Sequence, residues 1–179
     1  MKRLLLSAIS LIVTLSIFAA DKLTEVNGIK FGTKFDKCVE AIGDVPRKLT
    51  TRDGDETKFS YAPATWAQIN WTGSVLDFYK DRLFQVGFYT TSANPDTSTF
   101  DRAKSILSAA YGNPAALKGK SNAYMWRASN GNLAILQYVK ETTDKGDTQY
   151  ATYIFFIDNK EVVKKARAAE AELRDLISH

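Results

Sequence analysis

"STFDRAKSILSAAYGNP", Ser98 to Pro114, decides the architecture, because the chain has already written the same phrase once. "TKFDKCVEAIGDVP", Thr33 to Pro46, opens in the same way, with a hydroxyl, one residue, Phe, Asp and a basic residue, and it closes on Gly followed shortly by Pro. Each phrase reads as a helix with its start and stop signals. Thr33 with Asp36, and Ser98 with Asp101, match a capping arrangement in which the hydroxyl accepts from a free N–H of the first turn and the carboxylate sits against the positive helix end. Gly43 and Gly112 stop the helices, and Pro46 and Pro114 forbid their continuation. Phe35, Cys38, Val39 and Ile42 make the apolar stripe of the first copy; Phe100, Ala103, Ile106, Leu107, Ala110 and Tyr111 make that of the second. Asp and Gly stand seven residues apart in one copy and eleven in the other. The extra four are close to one helical turn, so the same face stays inward.

The segments after the two helices also match. "WAQINW", "SVLDFYK" and "RLFQVGFYTT" come after the first, and "AYMWRAS", "NLAILQYVK" and "TQYATYIFFID" after the second. All are short runs rich in β-branched and aromatic residues, the composition of strands. "TTRDGDET", Thr50 to Thr57, and "TSANPDTS", Thr91 to Ser98, read as turn-rich connections. The expected fold is therefore α+β: two tandem αβββ units with antiparallel sheets and the helices on one face. A C-terminal amphipathic helix is added by Val162, Ala166, Ala169, Leu173 and Leu176, which step by four and three. The final strand run, Tyr153 to Ile157, is apolar on both sides. Either it lies centrally, where the units join, or the C-terminal helix covers it.

The first twenty residues stand apart. Lys2 and Arg3 precede an uncharged run from Leu4 to Ala20, which reads as a signal peptide cleaved near Ala19 or Ala20. The expected divisions are 1–20 signal peptide, 21–91 first unit, 92–158 second unit and 159–179 C-terminal helix. The implied location is periplasmic or secreted, with membrane contact only through an uncleaved signal segment. Net charge is +4, and removal of Lys2 and Arg3 leaves +2 with no basic block, so nucleic acid has no footprint. Cys38 is the sole cysteine. No internal disulfide can form, and stability must come from packing.

An apolar helix ending in Gly near Pro, followed by Trp-bearing antiparallel strands, resembles the β-lactamase-inhibitory-protein and BamE-like (SmpA/OmlA) group of folds. Phe35 to Pro46, Trp71, Phe100 to Pro114 and Trp126 carry the resemblance, which spans about residues 28–158. The tandem copy is similar to the inhibitory proteins in particular, and it implies two αβββ units presenting a concave sheet to another protein. BamE-like proteins carry one unit and an N-terminal lipid, and this chain has neither; inhibitory proteins are braced by disulfides, which Cys38 alone cannot form.

Most site chemistries have no support. His179, the sole histidine, is the last residue, which leaves Ser-His-Asp, Cys-His and His-based zinc sites without a base or ligand. "DGDE", Asp53 to Glu56, lacks the further oxygens of a calcium loop, and no glycine-rich phosphate loop occurs. No catalytic residue, metal ligand or cofactor is expected. Helices cover one face of such a sheet and leave the other free. Alternation puts Ile69, Trp71, Leu76, Phe78, Phe84, Val86 and Phe88 inward, and Trp66, Asn70, Asp77, Tyr79, Gln85 and Tyr89 outward, with Arg127 opposite Trp126 in the second unit. Outward aromatics among polar residues suit a protein-binding surface. The expected function is a non-enzymatic protein-binding or inhibitor-like module whose partner is another envelope or secreted protein. The alternatives are a small-molecule or lipid carrier and, ranking last, an envelope hydrolase using carboxylates.

Overall fold

The computed structural model describes residues 21–177. The signal-peptide expectation and His179 lie outside them. A small hairpin opens the chain, β1 (Glu25–Val26) with β2 (Ile29–Lys30), followed by α1 (Phe35–Ile42). Then come β3 (Arg47–Asp53), β4 (Glu56–Ala62), β5 (Ala64–Trp66), β6 (Ile69–Trp71), β7 (Gly73–Tyr79) and β8 (Arg82–Ser92). The second half holds α2 (Ser98–Tyr111), β9 (Ala115–Ala116), β10 (Ala123–Arg127), β11 (Leu133–Thr142) and β12 (Thr148–Ile157), and α3 (Asn159–Ile177) closes the chain.

The two-sheet, three-strand scheme is corrected. One antiparallel sheet of eight strands runs β3-β4-β7-β8-β12-β11-β10-β9. Each half supplies four of these strands, in mirrored order, and the halves meet where β8 pairs with β12. The segment Trp66–Trp71 is not a sheet strand. It belongs to the separate hairpin β5–β6, inserted between β4 and β7. The missed strands are the two-residue β9 and the pair β3 and β4, which lie on either side of Gly54 in a segment read in part as turn-rich. All seven residues of β3 are exposed, so there was no alternation to read.

The helix phrase survives with altered starts. Gly43 and Gly112 close α1 and α2 with nearly equal dihedrals, φ 75 and 81 with ψ −155 in both, and each N–H bonds a carbonyl four residues back. The predicted caps do not form. Lys34 takes the first N-cap, and the Phe35 N–H donates to Asp81 Oδ1 at 3.2 Å. Thr97 takes the second; its hydroxyl bonds Asp101 Oδ2 at 2.8 Å, and the Ser98 N–H donates to Asp96 Oδ1.

Both helices pack on one face of the sheet. Phe35 meets Phe59 and Phe78 edge-on, and Phe100 meets Tyr124 and Tyr138. Cys38 is fully buried there, and desolvation, with a smaller push from Asp81, lifts its thiol to about 11. The hairpin β5–β6 fills the middle of the same layer: Trp66 lies 5.1 Å from Phe156 and 6.4 Å from both Trp71 and Phe88. Trp126 Nε1 donates to the Gly112 carbonyl, tying β10 to the end of α2. The residues leading into β1 bind the far half. Leu23 O accepts from Asn130 Nδ2 and Asn132 Nδ2, and Asp21 O accepts from Ser129. One hydrophobic cluster consequently runs from Leu23 to Phe156.

The C-terminal helix, whose side was left open by the sequence, lies on the face away from α1 and α2. α3 leaves β12 on the opposite side, where Lys165 pairs with Glu56 at 2.8 Å and lies over the Phe84 ring. The pairing of β7 with β8 shifts between Asp77 and Phe78, which leaves Phe84 as the extra residue of a bulge. Leu83 takes the inward place opposite Phe78, and Phe84 is buried beneath α3 instead.

Candidate functional site: the open sheet face

Paired residues of an antiparallel sheet share a face, so the register lays out the side away from α1 and α2 in rows. One row runs Gly73, Tyr89, Tyr153, Gln137. The next runs Leu49, Ser60, Val75, Gly87, Phe155, Ile135, Met125, Ala115 and crosses all eight strands. A third runs Thr51, Lys58, Asp77, Gln85, Ile157, Leu133, Arg127. At seven interstrand steps the band spans about 34 Å. The Val75, Tyr89, Ile135, Tyr153 and Phe155 side chains are half-buried, and α3 lies over the end where Lys165 meets Glu56 and Phe84.

Two glycines shape the centre. A methyl group at Gly87 would meet the Phe155 ring at 2.9 Å, and one at Gly73 would meet the Tyr89 hydroxyl at 2.6 Å and the Tyr61 carbonyl at 2.9 Å. The rings of Tyr89 and Phe155 therefore lie flat across neighbouring strands, a known way of shielding strand glycines. Tyr153 and Phe155 stack in parallel, 6.2 Å apart. Glu141 Oε1 accepts from both Tyr153 Oη at 2.9 Å and Gln149 Nε2 at 2.6 Å. Burial first, then this bond to Glu141, holds the Tyr153 hydroxyl well above the ordinary tyrosine value. It remains protonated and fixes the ring.

Asp77 is the buried carboxylate of the third row, 9% exposed. Gln85 Nε2 donates to its Oδ2 at 2.6 Å, and Lys58 Nζ stands 3.5 Å from Oδ1. Desolvation raises its pKa above 3.8 and outweighs the pull of Lys58, Gln85 and Lys165.

Of the residues singled out in the sequence, Asp77, Gln85 and Arg127 fall in the third row and Tyr89 in the first. Tyr79 lies two pairs beyond Asp77, opposite Glu56, with the Lys80 ammonium 5.4 Å from its ring centroid. Trp66 and Asn70 are corrections. Trp66 packs into the covered layer, and Asn70 is exposed on β6 opposite Thr65, on the same hairpin. Sequence reasoning missed Tyr153, Phe155, Ile135 and the two glycines. The available signal was the doubly apolar run of β12, which puts Tyr153 and Phe155 on one side.

Other features offer less. A shallow depression of about 250 Å³ at the ends of β8 and β12 is lined by Thr91, Ser92, Ala93, Thr143, Asp147, Thr148 and Gln149. It is open and polar, unlike the enclosed apolar clefts that hold small ligands. Among the described residues, no group of three His, Cys, Asp or Glu side chains is placed to hold a metal ion, and no helix is long and apolar enough to cross a membrane. Comparison with protein-family models, curated proteins and solved structures finds no match for this chain.

Proposed function

We propose that the chain is an exported, non-enzymatic binding module of the inhibitor-like kind, and that another envelope or secreted protein docks on the open face. The supporting observation is the row through Val75, Gly87, Phe155, Ile135 and Met125, an apolar band edged by Asp77, Gln85 and Arg127. Rigid aromatic side chains with few rotamers give contact area at low entropic cost, and flanking polar groups set orientation. The resemblance to the inhibitory-protein group points the same way and is part of the proposal.

Immobilised chain from Asp21 onward is offered to the exported proteins of the source cell, beside a variant with Tyr89→Ala and Phe155→Ala. A partner held by the native chain and released by the folded variant is the expected result. Equal capture by both would remove this face from the function.

A further inference from the structure

The eight-stranded sheet ends in two unlike edges. β9, at one end, is two residues long. β3, at the other, is seven residues long, and each of them is exposed. An exposed strand edge carries unpaired N–H and C=O groups along its outer side and is a template for another strand. Among the described residues, Leu49, in the middle of β3, is the large apolar side chain that stands exposed, at 60%. It sits at the end of the apolar row of the open face. On the other face of β3 stand Lys48 and Arg52, four residues apart, so their like charges project to one side of the edge.

We propose that β3 takes up an extended acidic segment of another protein as a ninth strand. The pattern of β3 states what that segment needs. Acidic residues belong opposite Lys48 and Arg52, and an apolar residue between them, on the opposite face, belongs against Leu49. The present partners of the two cations leave them available. Lys48 Nζ lies 3.5 Å from Asp44, whose side chain is 99% exposed, and Arg52 lies over the Phe35 ring at 5.2 Å. Exposed pairs of this kind contribute little and exchange readily. The same charges give a second copy no net gain in the antiparallel register that pairs all seven residues. That register sets Lys48 against Arg52 twice and Arg47 against Asp53 twice, so its repulsive and attractive pairs offset, whereas an acidic segment opposes Arg47, Lys48 and Arg52 with attraction alone. Leu49 shares a row with Phe155, but β3 lies three strands from Tyr89 and four from Phe155, so substitutions at the two places test the two readings separately.

The probe is a capped peptide, KETVIEE, antiparallel-complementary to β3, with KKTVIKK, in which its three glutamates become lysines, as the control. Amide chemical shifts of the full chain are followed during titration. The expected result is perturbation centred on residues 47–53, for KETVIEE alone. Binding should weaken about tenfold in a folded variant with Lys48→Glu and Arg52→Glu, and should persist in Tyr89→Ala. Absent binding, shifts centred elsewhere, or equal response to both peptides would overturn the proposal. So would a self-associating native chain that becomes monomeric by sedimentation in Leu49→Glu, since the occupant would then be a second copy.

Discussion

Asp77 shows how a single residue sets a pH response. Its carboxyl is buried near Lys58, Lys165 and the Gln85 amide, and burial wins, so its folded pKa stands above 3.8. Between 3.8 and the raised folded value the native state binds the proton that the unfolded state releases. Stability from this group is therefore present at acid pH and lost as pH rises through the folded pKa. Asp77→Asn removes the titration while keeping an acceptor for Gln85. In urea unfolding from pH 4 to pH 7.5, native stability minus variant stability should fall with rising pH. A difference that is flat or grows would show that Lys58 and Lys165 outweigh desolvation. Nothing in "SVLDFYK" announces this; Asp77 reads as one polar residue of an alternating strand, and its burial comes from the strands and helix around it.

At the scale of elements, the hairpin β5–β6 is a plug in the core layer. Trp66 read as an outward aromatic, yet it touches Trp71, Phe88 and Phe156. Trp66→Ala should lower stability by about 2–4 kcal/mol through the cavity it leaves, seen as an earlier urea midpoint, while Tyr89→Ala at the open face costs far less. The helices were the most legible elements. Their stripes depend on near neighbours in sequence, and Cys38, Phe100, Ala103 and Leu107 are buried as the periodicity requires. The strand β3 was the least legible, because Arg47, Lys48, Thr50, Thr51 and Arg52 are all exposed and polar and leave no alternation. Phe84 was misplaced by a single inserted residue: alternation holds from Gln85 to Tyr89, and the bulge turns Phe84 away and puts Leu83 opposite Phe78 in its stead.

At the scale of the molecule, the halves are covalent neighbours that share one core. β8 and β12 pair along eight residues, and Leu23 is held by Asn130 and Asn132 of the second half. Separately produced residues 21–92 and 93–177 would each expose a long central strand and half of the core. We expect neither to show dispersed amide resonances alone, and the full chain to unfold in a single urea transition. Two separable transitions would mean that the β8–β12 seam is only a contact between independent domains.

The sequence by itself determined what depends on near neighbours: two glycine-stopped helices, their inward stripes and the strand runs of the second half. Only the tertiary structure decided that β8 meets β12, that the β5–β6 hairpin enters the helical layer, and that α3 crosses to the other side. Those choices join segments some 60 residues apart. The free energy that selects them comes from burying Phe88, Ile154 and Phe156 against one another, and local periodicity carries no record of which distant surface a strand will cover.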